Sequence, residues 1–311
     1  MKPSLTLILF CLMLFLISCE SSPKKNTEKI SLNLELQTSN KNKEIILENM
    51  LGQDINFSID FNIKDSYKLN NNILNSSLKY FCYSFVQEQD AYLESLIFSS
   101  SKIKNRKTLV IYSEEFKKKA LDLKNKYPNQ LYFYLNKKNY EKEIIEILGV
   151  ENSINRFSNI NSLDKNLKIE HRPRVRNDIS EIYFLLDYNL GKAVVPIIRN
   201  YALKIDAFSS SEIFHKADNI KKLVDFENLY VPLSNRIIEE MQKNLNIKNI
   251  ENEFEKLLIE DYLLVEKIYQ NNLFKRKVSL KTSTEDVQKN KCIKRKLSIL
   301  RISSNEFSSL P

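Results

Sequence analysis

The sequence predicts an α/β protein built on a mostly parallel sheet, and three features carry that expectation. Short runs rich in β-branched and aromatic residues alternate with longer stretches of helical periodicity through the middle of the chain. One of these runs, Thr108-Leu109-Val110-Ile111-Tyr112, is apolar without alternation, the pattern of a strand covered on both faces. At 311 residues, with 42% hydrophobic and 28% charged side chains, the chain is long enough for one large domain or two lobes with real cores.

In chain order, residues 30–36 and 56–61 read as strands and 79–85 (KYFCYSF) as a third. Residues 88–100 read as a helix carrying Tyr92, Leu93, Leu96 and Ile97 on one side. After the 108–112 strand, Ser113 is placed to cap a helix with Glu114 and Glu115 in its first turn and Phe116, Ala120, Leu123 and Tyr127 on one stripe. A strand at 131–135 leads to a helix at 140–148, which Gly149 closes. The unit repeats with a strand at 181–186 and a helix at 189–202, where Pro196 is expected to introduce a kink. Strands at 205–208 and 229–231 and a helix at 252–269 follow, and 278–280 and 293–300 read as two closing strands joined by a polar loop.

Composition removes whole classes of function. The three glycines, Gly52, Gly149 and Gly191, lie too far apart to build a phosphate-cradling loop, which needs clustered glycines for positive φ and close backbone approach. The net charge of +9 invites a nucleic-acid reading, but it is local. Residues 275–301 hold ten basic residues against only Glu285 and Asp286, and the rest of the chain is close to neutral. This stretch, with Lys294, Arg295 and Lys296 at its centre, suits an acidic partner surface or an anionic polymer. It equally suits a sheet edge kept unpaired by its lysines.

The first nineteen residues set the compartment. Lys2 precedes an apolar run at 5–17 that is too short to span a bilayer comfortably and suits a signal-peptide core. It ends in Leu16-Ile17-Ser18-Cys19, which resembles the bacterial lipobox. That resemblance implies a signal peptide at 1–18 and a membrane anchor through lipidated Cys19, whose several acyl chains hold firmly. Glu20 stands where Asp is the main signal for inner-membrane retention in enterobacteria, so the periplasmic face of the outer membrane is expected. Residues 19–29 are polar, contain Pro23 and read as a tether of about 35 Å at most. Export disfavours nucleic acid as a partner.

With Cys11 in the signal and Cys19 lipidated, Cys82 and Cys292 remain, free to pair in an oxidising compartment but too far apart to mark a disulfide scaffold. No short-range ligand spacing joins them to His171 or His215, so no metal and no cofactor is expected. Ser209, Ser210 and Ser211 follow a strand, where α/β proteins place ligands. They lack a nucleophile-elbow context, and His215 reads as a surface residue rather than a base. Glu239-Glu240 and Glu260-Asp261 are the paired acids a glycan hydrolase needs, yet adjacent acids on amphipathic helices read as a solvated face. No catalytic residues are assigned.

Several blocks, in order, resemble the C-terminal domain of the penicillin-binding protein activator family, the LppC/LpoA-type outer-membrane lipoproteins. They are KYFCYSFVQEQDAYLESLIFSS (79–100), LGVENSINRFSNI (148–160), IEHRPRVRNDISEIYFLLD (169–187), IDAFSSSEIFHKAD (205–218), ENLYVP (227–232) and the basic tail. The resemblance implies a two-lobed fold like type I periplasmic binding proteins across 30–311. One lobe is expected at about 30–107 plus part of 233–311, and the other at about 108–232. It also implies a non-enzymatic role, binding a class A penicillin-binding protein and stimulating peptidoglycan synthesis. The alternative is a solute-binding lipoprotein that uses the interlobe cleft. Family members commonly carry a helical-repeat region before this domain, and nothing in this sequence fills that place. Within the third block, Arg172, Arg174 and Arg176 can receive partner carboxylates in bidentate fashion. The plainer reading has Arg176 and Asp178 fixing the entry to the next strand.

Overall fold

Strand β1 (Ser31–Thr38) buries Leu32, Leu34 and Leu36 and exposes Ser31, Asn33 and Glu35, so period-two alternation gives its sheet one packed and one wet face. In the computed structural model, residues 30–64, 66–98, 106–136, 139–163, 170–243, 247–274, 277–303 and 306–309 are described. The signal segment, Cys19 and the tether lie outside these residues. β1 is the centre of a three-stranded parallel sheet, with β2 (Asn56–Asp60) on one side and β3 (Tyr67–Leu69) on the other. The side chain of Ser39 caps α1 (Asn40–Leu51), which turns Ile46 and Met50 into the core.

The larger sheet has seven strands in the order β10-β9-β8-β7-β6-β4-β5. These are β4 (Lys107–Tyr112), β5 (Leu131–Tyr134), β6 (Ile179–Leu185), β7 (Asp206–Ser209), β8 (Leu229–Leu233), β9 (Ser298–Ser303) and β10 (Glu306–Ser309). β4 to β8 pair in parallel, while β9 and β10 complete the edge antiparallel. The expected α/β class with mostly parallel sheets therefore holds.

Helices cover both faces of this sheet, as a parallel sheet requires. On one face α2 (Phe85–Ile97) and α3 (Lys117–Lys126) bring Leu93, Ile97, Ala120 and Leu123 against Val110, Tyr183, Leu185 and Phe208. On the other, α4 (Tyr140–Leu148) and α6 (Tyr188–Ala202) bury Ile144, Leu148, Val194 and Ile198 with Leu109, Ile111, Ile182 and Phe184. Gly149 ends α4 in the left-handed conformation, φ 65°, where a side chain is strained. Asp187 caps α6 by accepting from the Asn189 and Leu190 amides. The connections also include α5 (Glu151–Leu163), the single turn α7 (Glu212–His215) and α8 (Asn235–Lys243).

The long helix α9 (Ile250–Gln270) returns to the small sheet. Gln270 pairs with the Asn33 backbone in both directions (3.0 and 2.7 Å), and Asn271 donates to the Ser31 carbonyl (2.8 Å). These two amides occupy the part of β1 that the short β3 does not reach.

Four local expectations change. Residues 79–85 are not a strand. Tyr80 has φ 73°, Phe81 makes one isolated bridge to Ile293, and a reciprocal Ser84–Gln87 capping box starts α2 at once. The third strand of the small sheet is Tyr67–Leu69 instead. Ser113 makes no capping bond. A 3-10 turn (Glu114–Phe116) precedes α3, and the buried Ser113 hydroxyl has no partner among the described residues. In the tail, 278–280 is irregular and the closing strand begins only at Ser298.

Candidate functional site

The segment 277–297 has no regular strand or helix and is held by side chains. Cys82 and Cys292 form a disulfide with their Cα atoms 5.0 Å apart, flanked by Cys82 N donating to Ile293 O and Ile293 N donating to Tyr80 O. Arg295 then turns inward. Its backbone N–H donates to Glu88 Oε1 (3.0 Å), its Nη1 to Glu88 Oε2 (3.0 Å) and its Nε to Thr282 Oγ1 (3.2 Å). The guanidinium also lies 4.3 Å from the Phe81 ring centre. Thr282 donates to Asp261, which accepts the Lys281 and Thr282 backbone amides as well. Burial pushes the Asp261 carboxyl up in spite of these bonds. One buried polar network thus joins α2, α9 and the C-terminal segment.

Arg295 is therefore unavailable to a partner, its side chain being 1% exposed. Lys294 and Lys296 do face solvent, as do Lys289 and Lys291, and none of the four has an ion pair among the described residues. Lys291, Lys294 and Lys296 line an open groove of about 560 Å³ with Tyr92, Glu285 and Asp286.

A second cluster lies at the strand ends. Strand order reverses between β4 and β6, which sets the ligand crevice of an α/β sheet at their carboxyl ends. The serine run that follows β7 is committed internally. Ser209 Oγ donates to Phe184 O (3.0 Å), and Ser211 donates through N and Oγ to Gln89 Oε1 (3.1 and 2.9 Å). Gln89 in turn donates to Pro232 O (2.8 Å). Ser210 Oγ and Asn75 Nδ2 both donate to Glu212, whose carboxyl is pushed up by burial. His215, expected at the surface, is buried between Phe214 and Phe254. Burial pushes its imidazole down to about 3, and its Nε2 has no partner among the described residues. It is a neutral core residue, and no hydrogen bond links it to the serines.

Around the arginine segment, Arg176 follows the structural alternative. Its guanidinium grips Asp178 through two bonds (2.6 and 2.7 Å), its amide donates to Leu148 O (2.9 Å), and its stem lies against Gly149. The guanidinium holds the Asp178 carboxyl below the usual range. Arg172 and Arg174 remain exposed. His171 stacks on Phe157 (4.4 Å, 8°) and bonds Ser153 (3.2 Å), whose hydroxyl also accepts the Arg174 amide (3.1 Å). No carboxylate orients that imidazole among the described residues, so the Ser153–His171 pair lacks the third member of a hydrolytic triad. The acid pairs also have structural partners. Glu239 and Glu240 bind Arg236, Lys243 and Lys281, and Asp261 belongs to the buried network rather than to a solvated face. Among the described residues no group of three or more His, Cys, Asp or Glu is placed to hold a metal ion. Nor is any described helix long and apolar enough to cross a membrane.

No protein-family model matches the chain, and no curated protein matches it. Among solved structures it is similar to full-length LpoA from Haemophilus influenzae, at 10% identity and a TM-score of 0.43, covering 89% of this chain and 48% of that one. The chain thus spans about half the length of that protein. The LpoA C-domain from the same organism, described as a regulator of PBP1A, is matched at 9% identity and TM-score 0.43, over 90% of this chain and 82% of that one. A putative branched-chain amino acid ABC transporter protein from Rhodospirillum rubrum is matched at 9% identity and TM-score 0.48, over 90% and 99%.

Proposed function

We propose that this chain is a non-enzymatic periplasmic lipoprotein, anchored at the outer membrane through Cys19, that binds and activates a class A penicillin-binding protein. The partner class rests on the ordered sequence blocks and the lipobox-like Leu16-Ile17-Ser18-Cys19. The structural observation that supports a protein-binding role is the sealed serine turn. Ser209, Ser210 and Ser211 lie at the carboxyl end of β7, and their hydroxyls are bonded to Phe184, Glu212 and Gln89. A solute would have to replace these bonds, and among the described residues no imidazole is bonded to any of the three hydroxyls. Activation then works by differential affinity for the synthase's active conformation, shifting its population without chemistry by this chain.

A thermal-shift screen of the full chain against amino acids, sugars and muropeptides, run beside a binding titration with the class A synthase of the same cell, separates the readings. The proposal expects synthase binding and no rise in melting temperature with the solutes. A solute that raises the melting temperature by mass action, without synthase binding, overturns it.

A further inference from the structure

Helix α5 is unlike the other long helices of the fold, because none of its thirteen residues is buried. Its apolar residues recur every three positions, at Ile154, Phe157, Ile160 and Leu163, and sweep through half the helix circumference. Ile154 is 36%, Ile160 48% and Leu163 86% exposed, while Phe157 is half-covered by His171. A helix of this length is marginal in water without a packed face. Among the described residues, the stacking of Phe157 on His171 and the bonds of Ser153 tie it to the segment 171–174. The same bonds lay the backbone of 171–174 along its first turns, with the side chains of Arg172 and Arg174 exposed to solvent. Arg156 projects from the helix itself, one turn before Ile160. None of these three arginines has an ion pair among the described residues. Arginine is enriched at protein-binding hot spots, and a contiguous patch of exposed large apolar side chains marks an interaction surface.

We propose that the α5 stripe, with Arg156, Arg172 and Arg174 around it, is the surface that docks into an apolar groove rimmed by carboxylates on the partner protein. The proposal rests on the synthase-binding reading above and adds the surface through which it acts. A second copy of this chain is a poorer occupant. An antiparallel pairing of α5 about Phe157 sets the two Arg156 side chains near the same dyad, where like charges repel. A carboxylate rim instead gives each guanidinium a bidentate acceptor.

The test titrates the full chain, solubilised in detergent, against the class A synthase and compares three variants: Ile160→Asp with Leu163→Asp, Arg172→Glu with Arg174→Glu, and Lys294→Glu with Lys296→Glu. All six residues are exposed, and an unchanged melting temperature checks the fold. The first two variants are expected to weaken binding tenfold or more, the arginine variant also flattening its salt dependence, while the lysine variant binds within threefold of the parent. Parent binding with the α5 and arginine variants unchanged overturns the docking surface and leaves the synthase reading standing. No binding by the parent overturns both. Loss in the variants of self-association, with synthase binding intact, assigns the face to a second copy of this chain and also overturns the proposal.

Discussion

Replacing Glu88 by Gln is expected to destabilise the protein severely, although the two side chains have nearly the same shape. Glu88 and Arg295 are 2% and 1% exposed, and the carboxylate accepts both the Arg295 amide and its Nη1 at 3.0 Å. An amide in its place can keep one of these bonds but leaves the guanidinium without a counter-charge where solvent does not reach. Removing one member of a buried ion pair costs about 3–5 kcal/mol, well above the roughly 1 kcal/mol of an ordinary hydrogen bond. In a chain of this size that lowers the melting temperature on the order of 10 °C. Glu88→Met combined with Arg295→Met removes both charges and is expected to cost less than Glu88→Gln alone. Urea unfolding of parent, single and double variants reads the difference. A loss under about 1 kcal/mol for Glu88→Gln, or a double variant weaker than the single, refutes the idea that this network holds the C-terminal segment.

Other expectations follow from the same structure. Cys82→Ser with Cys292→Ser opens a loop spanning 210 positions, and chain entropy puts the loss at about 5 kcal/mol at most, measurable by unfolding with and without reductant. His215 titrates at about 3 when folded against 6.5 when unfolded, so the unfolded chain binds the extra proton between these values. Its contribution is complete above pH 6.5 and is lost by about 1.4 kcal/mol per pH unit as pH falls toward 3. Asp261 and Glu212, raised by burial, work in the opposite direction, so the comparison is with His215→Leu, whose stability should fall less steeply with acid over that window. Gly191→Ala gains helix propensity, but its Cβ would lie 2.5 Å from Ile213 Cγ1 and 3.1 Å from Phe226. A net loss of about 1–3 kcal/mol by calorimetry is expected.

The large sheet was legible because its signals are local. The short apolar run from Thr108 to Tyr112 has the pattern of a strand covered on both faces, and Gly149 after an amphipathic nonapeptide marks a helix end. The failures occurred where distant residues decide. KYFCYSF has the composition of a strand, yet Cys82 is pinned to Cys292 and Ser84 already caps α2, so nothing remains to pair as a ladder. Arg295 looked like one of three adjacent cations. Its alternation with the buried Ile293 was the available sign that it points inward, but its acceptor, Glu88, is 207 positions away. His215 carried no sign of burial, since Phe214 and Phe254 enclose it from different helices. The three-residue spacing from Ile154 to Leu163 was visible in the sequence; that none of the helix's thirteen residues is buried was not.

The central claim is tested most directly by the rate at which the class A penicillin-binding protein of the same cell polymerises and cross-links lipid-linked precursor, titrated with the full-length chain. The account predicts a saturable rise in rate, with half-saturation at the concentration that half-saturates binding. A rate that stays flat while binding saturates, or the absence of any association, contradicts it.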